Sequence, residues 1–287
     1  MASTPFVIVD VFSDRPLAGN QLAVFTDASA IPEAMLQPLA REMGFSETVF
    51  VLPPRGDGAA RIRIFTPASE LPFAGHPVLG TAVTLAIARS LDDVVLETGR
   101  GDIPVALRER SADRGFGMMR QPLPAVVPHP APERVLAALG VACSTLPVDV
   151  YDNGVPHVFV TLPDEAAVER LDPDLSALTR LAREEGQPIV GFNCIAGDGR
   201  AWKTRMFAPA DGVSEDPATG SAAGPLACHL ARHGRIRFGE EIEISQGAEI
   251  GRPSTLFATA HGSEGMIAAV DVGGSAVLVA DGSFRIG

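Results

Sequence analysis

Two stretches of this chain repeat each other. Arg61-Ile62-Arg63-Ile64-Phe65-Thr66-Pro67-Ala68 aligns with Lys203-Thr204-Arg205-Met206-Phe207-Ala208-Pro209-Ala210 at a shift of 142. Glu70-Leu71-Pro72-Phe73-Ala74-Gly75-His76 then aligns with Glu215-Asp216-Pro217-Ala218-Thr219-Gly220-Ser221 at a shift of 145, so three residues enter between the blocks. Each pair of blocks runs into a small, apolar helical segment. An internal duplication of one strand–turn–helix unit constrains the fold to two similar lobes related by an approximate twofold, and 287 residues suit two domains. If the lobes face one another, two helix N-termini converge on one cleft. Their unpaired N–H groups and partial positive charge make such a pair a ready anion site.

Short alternating or β-branched runs bounded by Gly, Pro and Asp predict strands over 6–12, 22–25, 48–52, 61–65 and 94–97, then over 148–151, 157–162, 189–196, 204–207 and 241–245. Helical periodicity covers 32–43, 77–89, 133–139, 175–185 and 225–233. Strands outnumber helices, which points to an α+β class. Five prolines between 120 and 132 cannot continue a central strand or a helix. The expected division is therefore an N-terminal lobe over 1–122, a C-terminal lobe over 123–270, and a last strand over 271–287 that returns to the first lobe.

A formal charge of −12 and the lack of any Lys/Arg run argue against nucleic acid as a partner. A small carboxylate would have to be held by local donors such as backbone amides. Cys143, Cys194 and Cys228 are odd in number and widely spaced, so neither a disulfide framework nor a CxxC metal site is expected. The start lacks a basic segment followed by a long apolar run, and no apolar stretch approaches the roughly 18 residues of a membrane span. A cytoplasmic protein is expected.

Three segments carry candidate chemistry. Phe73-Ala74-Gly75-His76-Pro77-Val78-Leu79-Gly80-Thr81 imitates a phosphate loop but lacks its lysine. Pro77 suits a first helical position, which makes His76 the expected cap, and an ordinary capped helix is the plain alternative to a binding loop. Around Thr219 and Ser221, Gly and Ala crowd the chain and expose backbone amides; Asp216 beside them is either a proton-transfer group or a turn cap paired with an arginine. Glu47 heads an apolar strand between Phe45 and Phe50. Desolvation there would raise a carboxyl pKa toward the acid/base range, against the alternative of a solvent-facing side chain. His229 and His233 stand at i and i+4 on a helix, but HExxH is incomplete and no third ligand is marked, so no metal site is expected. Gly115-Phe116-Gly117 lacks the third glycine of a dinucleotide loop, no GxSxG elbow occurs, and His157 at the start of an apolar strand reads as structural.

Val9-Asp10-Val11-Phe12 with Gly19-Asn20-Gln21-Leu22-Ala23-Val24-Phe25, Ser46-Glu47-Thr48, Arg63-Ile64-Phe65-Thr66-Pro67, the Glu70 to Pro77 and Glu215 to Ser221 motifs, and Gln246-Gly247 with Gly251-Arg252-Pro253-Ser254 together resemble the PhzF family of phenazine-biosynthesis-like isomerases. The resemblance implies a diaminopimelate-epimerase-like fold: two lobes, each a curved, mostly antiparallel sheet wrapped around a central helix, with the active site between them. It implies a hydrogen shift on a dihydro-hydroxyanthranilate-like carboxylate, an enol becoming a ketone. Glu47 would carry the proton, with His76, Asp216 and Ser221 completing the site. Amides around Gly75, Gly220 and Ser221 would hold the substrate carboxylate. No metal or redox cofactor is implied, and a homodimer is. Gln21-Leu22 departs from the family's usual Pro-Val without touching these residues. The alternatives are an amino-acid racemase of the same fold, disfavoured because no cysteine falls in either helix-start loop, and a non-catalytic ligand-binding protein, which would have no need of the acid/base.

Overall fold

The computed structural model describes residues 2–184, 191–263 and 265–286. The chain divides into two compact units, Met1–Arg120 with Gly273–Gly287, and Gln121–Val272. In the first unit, β1 (Ala2–Val11) pairs antiparallel with β2 (Asn20–Phe25). Helix α1 (Glu33–Met43) connects β2 to the parallel β3 (Glu47–Leu52), which pairs antiparallel with β4 (Ala60–Phe65). The short β5 (Glu70–Leu71) leads into α2 (Gly75–Arg89), after which β6 (Asp93–Thr98) lies parallel to β4. Antiparallel β7 (Gly101–Arg110) and β8 (Arg114–Arg120) follow, and the last strand of the chain (Met266–Ile286) pairs with both β8 and β1, closing the sheet into a barrel.

Helix α2 is the barrel's filling. Every residue from Gly75 to Ala86 is buried, so the segment has no polar face and is stable only where strands surround it. Burial of Val78, Leu79, Val83 and Leu85, each worth roughly 1.5–3 kcal/mol, ties it there. The amphipathic α1 instead buries only Leu36, Leu39 and Ala40, against the outer cluster of Phe25, Phe50 and Phe65, and stops at the left-handed Gly44.

The second unit follows the same pairing order. After the short β9 (Ala125–Pro128) and α3 (Pro132–Leu139), β10 (Asp149–Asp152) pairs antiparallel with β11 (Pro156–Thr161). Helices α4 (Glu165–Glu169) and α5 (Leu175–Glu184) connect to the parallel β12 (Gly191–Asp198), which pairs antiparallel with β13 (Ala201–Ala208). The short β14 (Val213–Asp216) leads into α6 (Gly220–Arg232) and the parallel β15 (Glu241–Gln246), followed by antiparallel β16 (Ser254–Ser263) and by the last strand, β17. Thus β10 to β13 repeat β1 to β4, and α6 takes the place of α2. The repeat extends to side chains. Arg63 is held bidentately by Glu70 at 2.7 and 2.6 Å and lies over Phe65; Arg205 is held bidentately by Glu215 at 2.9 and 2.8 Å and lies over Phe207. In each unit this fork pins the turn that precedes the central helix.

Two expected helix starts are corrected, and β9 and α4 go unpredicted, as do β7, β8 and β16. Helix α2 begins at Gly75 with Ala74 as its cap, so His76 lies inside the first turn and caps nothing. Helix α6 begins at Gly220, five residues before the expected Pro225 start. Asn153 Nδ2 donates at 2.9 Å to Ser221 O, the carbonyl that Pro225 cannot bond, and so lets the helix run through the proline. The proline-rich segment holds β9, paired on β10, although no strand is expected there. The whole of α4 goes unpredicted; it is one short turn capped by Asp164. Residue 185 of one expected helix and residues 189 and 190 of one expected strand lie outside the described residues.

Candidate active site

In the first unit, parallel pairing of β2 and β3 sets Leu22 beside Glu47 and brings the strand heads to the start of α2. Glu47 Oε2 lies 3.6 Å from His76 Nδ1, with the carboxylate 16% exposed and the imidazole 3%. Asn20 Nδ2 lies 3.3 Å from the same ring nitrogen, and Ser46 Oγ donates to Asn20 Oδ1 at 3.1 Å. A mostly desolvated carboxylate therefore sits against a buried imidazole whose position is set by an amide. Asn20 belongs to this cluster, and sequence reasoning assigned it no role. Its signal was present in the Gly19-Asn20 motif, but nothing in the sequence says that it meets a residue 56 positions away.

In the second unit, Asp216 ends β14 and is 5% exposed. Its Oδ2 accepts from Thr219 Oγ1 at 2.6 Å. Gln246 fastens the same turn: its Nε2 donates to Asp216 O and Thr219 Oγ1 at 2.8 and 2.9 Å, and its Oε1 accepts from Thr219 N at 3.0 Å. Gly220 and Ser221 open α6, and Gln121 Nε2 donates to Gly220 O at 2.7 Å. Position 221 takes the place of His76, as the 145-residue shift requires.

His157, read from the sequence as structural, touches this serine. Its Nε2 lies 3.0 Å from Ser221 Oγ. Asn193 Nδ2 lies 3.2 Å from Val158 O, 3.4 Å from Gly191 O and 3.4 Å from His157 Nδ1; two carbonyls around one atom identify it as the amide nitrogen, a donor only. The ring therefore accepts at Nδ1 and carries its proton on Nε2. Burial pushes its pKa down to about 3, so the ring is neutral near pH 7. Nε2–H then donates to Ser221 Oγ, which leaves the serine's own proton for another acceptor.

The registers also show where the two halves differ. Leu22 stands beside Glu47 in β2 and β3, and His157 stands beside Gly191 in β11 and β12; Thr48 faces Phe65 as Phe192 faces Phe207. The counterpart of Glu47 is thus Gly191, where a Cβ would come within 2.8 Å of His157 Nδ1 and 3.0 Å of Met206 Sδ. Only one half carries a carboxylate at this strand position. Among the cysteines, Cys194 and Cys228 are buried with thiol pKa values pushed up to about 12, and Cys143 is exposed. A cleft of about 750 Å³ on the first unit is lined by Arg55, Arg61, Arg63, Glu70 and Glu97, and none of the sequence-predicted site residues lines it.

The model of the phenazine biosynthesis-like protein family, PhzC-PhzF, matches residues 9–282. This chain belongs to the PhzF family. It is 49% identical over 277 residues to a trans-2,3-dihydro-3-hydroxyanthranilate isomerase of Pseudomonas aeruginosa, covering 96% of this chain and 98% of the relative. It superposes on a Bacillus anthracis phenazine biosynthesis protein of the PhzF family with a TM-score of 0.86 at 25% identity, each chain covered in full. A probable proline racemase of Agrobacterium radiobacter, 13% identical, is matched with a TM-score of 0.66 over 99% of this chain and 93% of that one, a likeness of fold alone. The PhzF-family chain is an isomerase, and its α+β architecture is the one that the motifs implied.

Proposed function

We propose that this PhzF-family isomerase moves a hydrogen between ring carbons of trans-2,3-dihydro-3-hydroxyanthranilate or a closely similar small carboxylate, with Glu47 as the proton carrier. The base takes a proton from one carbon, the electron pair moves through the adjacent double bonds, and a proton is returned at another carbon. The enol so formed becomes the ketone, so atoms and charge balance without an added reagent. One observation carries the reading: the duplicated fold keeps a carboxylate at this strand position in one half only, 3.6 Å from the buried His76 imidazole, and a glycine in the other. One carrier that removes and returns the proton suits a shift within one molecule, whereas a two-base racemisation needs a group in each half. In the same reading His76 and Asp216 orient the substrate and share the proton steps, and the amides of Gly75, Gly220 and Ser221 take its carboxylate. The enzyme acts as a cytoplasmic homodimer without a cofactor; light scattering at micromolar concentration tests the assembly.

The test is incubation with trans-2,3-dihydro-3-hydroxyanthranilate in D2O, followed by NMR. The wild type is expected to consume the compound and to place deuterium on a ring carbon. Glu47→Gln keeps the size but cannot accept and return a proton, so exchange and turnover fall by at least about 10²-fold with little change in binding. A wild type that leaves the compound untouched overturns the substrate. Near-normal exchange by Glu47→Gln overturns the carrier and passes the role to Asp216 or His76.

A further inference from the structure

At the opposite end of α6 from Ser221, twelve residues or roughly 18 Å along the helix, a second cluster of potential ligands converges. His229 and His233 lie one turn apart on α6 and at its C-terminal cap, as their spacing predicts, and β10 supplies the third group that the sequence does not mark. Asp149 Oδ2 lies 2.9 Å from His233 Nε2 and 3.8 Å from His229 Nδ1, and the three donor atoms fall within 4.8 Å of one another. A tetrahedral zinc with bonds near 2.0–2.1 Å needs donor atoms about 3.3 Å apart; both Asp149 distances lie within about half an ångström of that, and the two imidazoles close on the ion from within 4.8 Å.

The surroundings prepare His229 as a ligand. Its side chain is 0% exposed, and Nδ1 has no hydrogen-bond partner among the described residues although it is buried. Thr161 Oγ1 stands 3.5 Å from Nε2, where accepting that nitrogen's proton leaves the Nδ1 lone pair aimed at Asp149. Phe159 stacks on the ring and Tyr151 meets it edge-on, which fixes its plane. His233, 21% exposed, leaves a way in from solvent, and the partial negative charge at a helix C-terminus favours a cation. The adjacent Arg232 opposes one, but it is exposed and its Nη1 is turned to Tyr151 Oη at 3.1 Å.

We propose that Asp149, His229 and His233 bind a divalent first-row transition metal, of the class of zinc or cobalt, at a site that fastens the end of α6 to β10 and takes no part in the hydrogen shift. Two imidazoles and one carboxylate suit such ions and not calcium or magnesium, which require oxygen ligands. Enzyme freed of metal with a chelator is titrated with zinc against a chromophoric competitor and, separately, with cobalt while the ligand-field bands are followed. About one ion per chain at micromolar affinity or tighter is expected, with tetrahedral or five-coordinate cobalt bands and a zinc-dependent rise in Tm. His233→Ala, a part-exposed change at the end of the helix that leaves the fold intact, should weaken zinc at least tenfold and abolish the rise in Tm; the isosteric Asp149→Asn should do the same. A wild type that takes up no stoichiometric zinc or cobalt overturns the proposal, as do variants that bind like the wild type. Turnover should be equal with and without zinc, and zinc-dependent turnover would overturn the separation from the reaction.

Discussion

Ser221 is a donor or an acceptor depending on what lies behind it. Neutral His157, oriented by Asn193, presents Nε2–H to Ser221 Oγ at 3.0 Å, and so leaves the serine's own proton for another acceptor. His157→Gln keeps an amide N–H at about the reach of Nε2, while His157→Phe keeps the ring volume and removes the donor. Loss of a hydrogen bond at a buried group costs about 1–3 kcal/mol, so the Phe variant should lose roughly tenfold in kcat/KM or more. The Gln variant should retain most of the activity. Steady-state kinetics on a substrate that the wild type turns over compares them, and equal losses in both variants would mean that His157 only fills space.

At the scale of elements, the two central helices are buried on every side and their sequences are tuned to close approach. Gly224 of α6 has Gln121 Oε1 at 2.4 Å and Val270 Cγ1 at 2.5 Å from where a Cβ would stand. Alanine is the better helix former by about 1 kcal/mol, but overpacking costs about 1–3 kcal/mol, and here it also pushes on the Gln121 side chain that holds Gly220 O. Gly224→Ala is therefore expected to lower Tm by several degrees and to impair turnover, both seen by thermal denaturation beside an activity assay. A rise in Tm would show that the wall yields. Helix α6 also passes Pro225 only because Asn153 bonds the orphaned Ser221 carbonyl, so this helix start is a tertiary product rather than a local one.

Across the whole molecule, duplication supplies two strand–turn–helix frames whose side chains differ at matching positions: Glu47 against Gly191, His76 against Ser221, Leu22 against His157. The buried His157 also links this arrangement to pH. Its folded-state pKa, about 3, lies below the ordinary 6.5. The unfolded chain therefore binds a proton between these values that the folded chain does not. The stability from the neutral ring is fully present above about pH 6.5, erodes as the pH falls toward 3, and changes no further below that. The slope from one such group is at most about 1.4 kcal/mol per pH unit. Denaturant midpoints from pH 7 to pH 4 should fall more steeply for the wild type than for His157→Gln, and parallel curves would show that the ring is protonated in place.

The repeated blocks at shifts of 142 and 145, many of the strands and the apolar segments after each block were legible in the amino-acid sequence, whereas β7, β8 and β16 were not. Periodicity and motif order are properties of neighbours along the chain. Helix starts were misread at His76 and Pro225; at Pro225 the reason is that α6 is completed by Asn153, a partner remote in sequence. Asn20, Asn193 and Asp149 were invisible as site residues for the same reason. What they do depends on strand register, which sets Leu22 beside Glu47 and His157 beside Gly191, and a register is decided only when the sheet closes around its helix.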